Sequence, residues 1–259
     1  MKLTHKLTGA VLLATLGVAV AVPGITKAED ASHFKKGDMD IQFTRNTDED
    51  TNTTRPVFTD EDGSEDSGII SGTITRPLES VIFGVQDVTP LSFGGHAVVN
   101  DGSARTFFAK NYVEEKGAAA NHVIIKDTRS TLDHKYKLEA KITKPMTTTI
   151  EGEGDHALSG ATLTYTNIGI KSTQAADLAL SADTIAAPSI DVTEEGVIFI
   201  NNESEGKGIG QSLIHFGVLS DVETEQTSDK SVKLTVPSDK EIIEGKYKGE
   251  VTWTMSNTL

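Results

Sequence analysis

Cysteine is absent from all 259 residues, which excludes disulfides, thiol nucleophiles and thiolate metal sites together. Aromatic residues are scarce at 5%, with one tryptophan, Trp253, too few for an extended sugar-stacking cleft. Basic residues are outnumbered, 24 Lys and Arg against 38 Asp and Glu. That balance argues against nucleic acid, whose binding rests on cationic contacts to phosphate, and against anionic lipid surfaces. Long apolar runs are also missing, with one exception near the amino terminus. Lys2 and Lys6 precede a largely apolar run from Leu7 to Val22, which Pro23-Gly24 breaks before Thr26-Lys27-Ala28. The run holds about sixteen residues, short of the roughly 20 that a membrane-spanning helix needs. Its basic start and small-residue exit predict a secretory signal peptide over residues 1–28, cut after Ala28. Without Lys2, Lys6 and Lys27, 21 basic residues face 38 acidic ones, a balance of −17. No second such run follows, so the mature chain is expected to be exported, without a transmembrane anchor and held together by its core alone.

Recognisable catalytic patterns are missing too. The histidines, His5, His33, His96, His122, His134, His156 and His215, form no His-x-His or His-x-x-x-His pair. No Gly-x-Ser-x-Gly elbow occurs. Gly206-Lys-Gly208-Ile-Gly210 is glycine-rich but lacks the Lys-Ser/Thr of a phosphate-binding loop. Carboxylate pairs carry no information when 38 acids make some pair inevitable. The expectation is a protein that is not an enzyme and needs no cofactor.

What is present divides near Arg76-Pro77. Residues 29–77 are polar and acidic, with Asp48-Glu49-Asp50 and Asp60-Glu-Asp-Gly63-Ser-Glu-Asp66 as the densest stretches. Too little apolar surface is available there to offset chain entropy, so an extended, partly disordered leader is expected. Met39-Asp-Ile-Gln-Phe43 and Ile69-Ile70 are candidates for one or two edge strands. The acidic stretch offers oxygen ligands of the kind Ca²⁺ takes, but Gly63 is misplaced for an EF-hand loop and a solvated linker is the simpler reading. Residues 78–259 read as strand after strand, among them Val81-Ile-Phe-Gly-Val85, His122-Val-Ile-Ile125, Tyr136-Lys-Leu-Glu-Ala-Lys-Ile142 and Gly196-Val-Ile-Phe-Ile200. Turn signals such as Asn100-Asp-Gly102, Gly152-Glu-Gly154 and Pro237-Ser-Asp239 separate them. The Ala-rich stretch 174–187 has room for a turn or two of helix. The expected class is all-β, an antiparallel sandwich or Greek-key barrel-like domain. Its closing strand puts Tyr247, Gly249, Val251, Trp253 and Met255 on one face by the two-residue period.

Several phrases, taken in order, resemble the WxL-domain surface proteins of low-GC Gram-positive bacteria. Val88-Thr-Pro90-Leu-Ser-Phe93-Gly94-Gly-His96 is similar to the Pro-x-x-Phe-Gly-x-His phrase that opens these domains. Val123-Ile-Ile-Lys-Asp127-Thr-Arg129 resembles their Val-x-Asp-x-Arg strand and turn. Leu158-Ser-Gly-Ala161 and Ser231-Val-Lys-Leu-Thr-Val-Pro237 match two further strands. Tyr247, followed by Val251-Thr-Trp253-Thr-Met255, is similar to the second Trp-x-Leu signature. This member departs at the first signature, where Tyr136-Lys137-Leu138 stands, at Met255 in place of Leu, and at the missing terminal Pro, near whose place Leu259 stands.

The resemblance implies non-covalent attachment to the cell wall, with peptidoglycan as ligand. A subunit role, held at the surface by a membrane-anchored WxL-interacting protein, is the alternative. No Leu-Pro-x-Thr-Gly sorting signal, lipobox cysteine or hydrophobic tail with a basic stop is present, so retention by binding is expected. The acidic balance disfavours direct contact with anionic teichoic polymers. Two readings of the signature remain open. Trp253 and Tyr136 either offer ring faces to sugars or pack in the core; Val251 and Met255 flank Trp253 with apolar neighbours and favour the core.

Overall fold

The structure is a computed structural model that describes residues 41, 55, 68–98, 105–152, 154–219 and 226–257. Contacts divide the chain into Met1–Thr44 and Arg45–Leu259; Ile41 alone of the first falls among the described residues, and every element below belongs to the second. The predicted signal peptide and the acidic stretches at 48–50 and 60–67 lie outside the described residues.

Among the described residues, fifteen strands, numbered here in chain order, make four antiparallel sheets. One has the order β10 (Ile168–Ser172), β13 (Gly210–Phe216), β6 (His122–Asp127) and β2 (Phe83–Val88). A second runs β11 (Ser189–Val192), β9 (Thr162–Thr166), β14 (Val232–Val236) and β3 (Arg105–Phe108). The third is β12 (Val197–Asn202), β7 (Tyr136–Ile150) and β15 (Lys248–Asn257), with β8 (Gly154–Ala157) paired to the far end of β7. The last is small: β1 (Ile70–Gly72), β5 (Gly117–Ala119) and β4 (Tyr112–Glu114). The chain is thus all-β and antiparallel. In the Ala-rich stretch the helical content is a single 3₁₀ turn, Ala182–Thr184, as its Ser, Thr and Asp side chains favour local turns over helix.

Strand alternation explains the core. On β7, Tyr136, Leu138, Ala140 and Ile142 point inward while Lys137, Glu139 and Lys141 point out. β6 is different, for all six of its residues are buried. Val123 and Ile125 enter the main core, whereas Ile124 joins a second cluster with Ile69, Leu78, Ala120 and Leu213. The unbroken run Val-Ile-Ile is the sequence of a strand covered on both faces. Its second cover comes from Ile69, inside the stretch 29–77 that composition sets apart as leader, and from Leu78 directly after it. Glu114 ties that segment down by accepting hydrogen bonds from the Thr75 hydroxyl and amide at 2.6 Å each. Those bonds, led by the hydroxyl, push its carboxyl down to about 2.

A bulge shapes the start of the closing strand. The register of β15 against β7 shifts on either side of Glu250, opposite Lys144-Pro145-Met146. Pro145 has no amide hydrogen and is accommodated where the ladder is interrupted. Gly249 fits because a Cβ there would lie 2.8 Å from the Met146 sulfur and 3.0 Å from the Lys144 carbonyl oxygen.

Candidate functional site

The two expected signatures meet on neighbouring strands. Across the β7–β15 ladder, Leu138 stands opposite Met255, Ala140 opposite Trp253 and Tyr136 opposite Asn257. The Trp253 indole is 8% exposed. It lies edge-on to Tyr165 at 5.7 Å and Phe199 at 4.8 Å, and stacks on Phe216 at 6.2 Å between ring centroids. Its N–H has no hydrogen-bond partner among the described residues. Tyr136 is fully buried, edge-on to Phe83, and its hydroxyl donates to the Gly208 carbonyl at 3.3 Å. Burial, with the nearby Asp127 charge, pushes that hydroxyl well above the usual phenol range.

The domain-opening phrase forms a surface loop. After β2, the Thr89 hydroxyl bridges the His122 backbone, donating to its carbonyl at 3.2 Å and accepting from its amide at 2.9 Å. Ser92 pairs with Lys110. Gly94 takes the left-handed conformation at φ +77° that a turn here requires. His96 then closes the loop on itself: Nε2 donates to the Phe93 carbonyl at 2.7 Å while the ring tilts against Phe107 at 4.6 Å. The proton sits on Nε2, because a carbonyl only accepts.

Between this loop and the foot of β15 lies a cleft of about 490 Å³. Pro90 and Phe93 form one wall, Tyr247 to Val251 the other, and Ile142, Leu163 and Leu234 lie among the apolar residues between them. A second, larger hollow of about 940 Å³ adjoins it on the His96 and Phe107 side. Leu91, Phe93, Met146, Leu234 and Tyr247 line both, so the two are neighbours on one face of the domain. The Tyr247 hydroxyl is occupied within its own turn, accepting from the Ile243 amide at 3.2 Å and donating to its carbonyl. Pro90, Phe93 and Tyr247, which the sequence singles out, thus come together here, with Gly94 and His96 on the adjoining hollow. Tyr136, Leu138, Trp253 and Met255 line neither cleft.

A family model described as WxL domain, surface cell wall-binding, matches residues 29–258. The chain belongs to the WxL family. The match takes in residues 29–77 as well as the strands that follow. Neither curated proteins nor solved structures give a match. WxL is a wall-binding family and not an enzymatic one, so the chain is a surface protein carrying a cell-wall-binding domain. Among the described residues no His, Asp and Glu cluster could hold a metal ion, and no helix is long and apolar enough to cross a membrane.

Sequence reasoning did not find the buried charges. Asp87, in the middle of β2, receives Arg55 at 2.6 Å on one oxygen and Arg76 at 2.5 Å on the other. Arg55 also donates to His122 Nε2 at 2.9 Å, and His122 Nδ1 donates to the Ala120 carbonyl at 2.8 Å. The histidine is therefore the neutral Nδ1–H tautomer. Burial works to raise the Asp87 carboxyl, but the Arg55 hydrogen bond and the charges of both arginines outweigh it and hold it below the usual range. A second cluster closes the Asp127-Thr-Arg129 phrase. Arg129 grips both carboxylate oxygens of Asp127, at 2.9 and 2.7 Å, lies 4.0 Å over the Phe83 ring, and reaches Asn257 at the end of β15. His134 donates to the same carboxylate at 3.0 Å. An aspartate inside an apolar strand was the only available signal for the first cluster, since its arginines lie elsewhere in the chain.

Proposed function

We propose that the protein is exported and held non-covalently on the cell wall by binding peptidoglycan, with the cleft between the domain-opening loop and the foot of β15 as the contact. The observation that carries this reading is the convergence of Pro90, Phe93 and Tyr247, residues of the family's own phrases, on one apolar concave surface. A concave apolar surface with a few polar groups at its rim is the usual form of a ligand site. Under the same reading Trp253 holds the sheet and does not touch the wall. Its apolar neighbours on three sides leave it no face for a sugar. The acidic balance favours the neutral and zwitterionic parts of the wall over its teichoic polymers.

Sedimentation of the mature chain with purified peptidoglycan freed of teichoic acid tests the proposal. The protein should pellet with it, and Phe93→Ser should reduce the bound fraction when both proteins are compared well below the variant's melting temperature, which falls because Phe93 also packs against the core. A folded chain that stays in the supernatant, and pellets only once a membrane-anchored surface partner is supplied, would show that the wall is reached through that partner instead.

A further inference from the structure

We propose that the cleft takes the peptide stems of the wall and not its glycan strands, a reading that rests on the wall attachment above. Three features of the site point the same way. Its apolar lining is largely aliphatic, with Val88, Leu91, Ile142, Leu163, Leu234 and Val251 in it, and only Phe93 and Tyr247 are aromatic. Tyr247 is packed edge-on against His156 and its hydroxyl is already used, which leaves Phe93 as the one lining aromatic able to offer a ring face. Pyranose recognition wants such platforms flanked by side chains able to bond hydroxyls, whereas the methyl groups of alanine suit aliphatic walls.

The second feature is backbone. β15 is the last strand of its sheet, and among the described residues only β7 pairs with it. Its first residues, Lys248 to Val251, line the cleft, so the cleft runs beside the strand edge that β7 does not pair, with the end of β2 on the far side. An extended peptide can add to such an edge through main-chain hydrogen bonds, which a glycan cannot do.

Charge supplies the third. Lys144 and Lys248 stand exposed at the rim, and neither side chain has an ion-pair partner among the described residues. The two carboxylates of the cleft already carry donors: Glu194 accepts from the Gly160 amide at 2.9 Å and Glu250 from the Thr143 hydroxyl at 3.0 Å. Lysines without an ion-pair partner can pair with carboxylates that a ligand brings, and the two glutamates beside them suit a ligand that carries ammonium groups as well. A stem peptide has them, along with small apolar side chains and a regular backbone. A glycan strand has no regular peptide backbone, and in the intact wall its lactyl carboxyl is tied up in the amide bond to the stem.

The test compares three ligands with the mature chain: intact teichoic-free sacculi, sacculi stripped of their stems by an amidase, and a soluble synthetic stem peptide ending in D-alanine. Intact sacculi should retain the protein, stripped glycan should retain at least tenfold less, and the soluble peptide should compete. The double variant Lys144→Gln/Lys248→Gln, altered only at exposed positions, should melt as the parent does and bind intact sacculi about tenfold more weakly. If stripped glycan binds as well as intact sacculi, the stem assignment is wrong and wall attachment stands. If intact sacculi are not bound by the folded chain, both fall. A double variant that binds undiminished would remove the lysines from the site and overturn the charge argument.

Discussion

Trp253 offers the sharpest test of how the family signature works, because two substitutions separate packing from contact. Trp253→Ala would empty a site walled by Tyr165, Phe199 and Phe216 and remove three aromatic contacts. Losses of about 3–5 kcal/mol are usual for such a deletion. In a domain of this size each kcal/mol lowers the melting temperature by about 2–4 °C, so a drop of about 6–20 °C is expected. Against a total stability of about 5–15 kcal/mol, that also reduces wall retention through loss of folded protein. Trp253→Phe is the discriminating change. It leaves a void on the order of 40 Å³, worth about 1 kcal/mol. It also removes a buried N–H that has no partner among the described residues, a group whose desolvation costs about 1–3 kcal/mol. The two effects oppose each other. The variant should melt within about 4 °C of the parent and sediment with peptidoglycan as the parent does. Differential scanning calorimetry and sacculus sedimentation on the same preparations read both quantities. A Trp253→Phe protein with unchanged melting and a tenfold loss of wall binding would place the indole against the ligand and refute the packing argument.

Other outcomes can be checked by thermal melts. Asp87→Asn strips the negative charge from between Arg55 and Arg76 and should cost about 3 kcal/mol, the penalty of leaving buried charge uncompensated. The carboxyls of Asp87 and Asp127 are both held below their ordinary value of 3.8 in the folded state, despite burial, by His134 and three arginines. A depressed folded value means stability that is complete above the unfolded value and lost as pH falls through the folded one. Melting temperature should therefore be flat near neutrality and fall once pH drops below about 4, with a shallower acid limb in Asp87→Asn. Gly208→Ala should destabilise through strain at φ +80° and through its Cβ, which would lie 2.6 Å from the Asn202 amide nitrogen and 2.7 Å from the Tyr136 hydroxyl. Met255→Leu restores the family's residue opposite Leu138 and, conserving volume, should shift stability by less than about 1.5 kcal/mol.

The legible parts of this protein are those carried by local periodicity. Alternation along Tyr136–Ile142 and around Trp253 is enough to name the inward residues there, because successive side chains on a strand face opposite ways. The unbroken apolar run at Val123 to Ile125 signals burial on both faces without saying what provides the second cover. That cover is the segment around Ile69 and Leu78, whose own composition marks it as polar. Two well-placed apolar residues suffice to dock a short stretch, and average composition does not register them.

Composition and order of motifs, read from the chain alone, determine that this is a cysteine-free, acidic, all-β protein with WxL phrases in sequence. They follow from residue identity and short-range spacing. Tertiary structure decides the rest. It sets Leu138 against Met255 across a ladder, buries Trp253 among three rings from other strands, and gathers Asp87, Arg55, Arg76 and His122 into one charge cluster. It also brings Pro90 and Phe93 to Tyr247 around a cleft. Each of these joins residues tens to more than a hundred positions apart. Such partners are chosen by how sheets twist and pack to bury apolar area, a property of the whole chain that no local window contains.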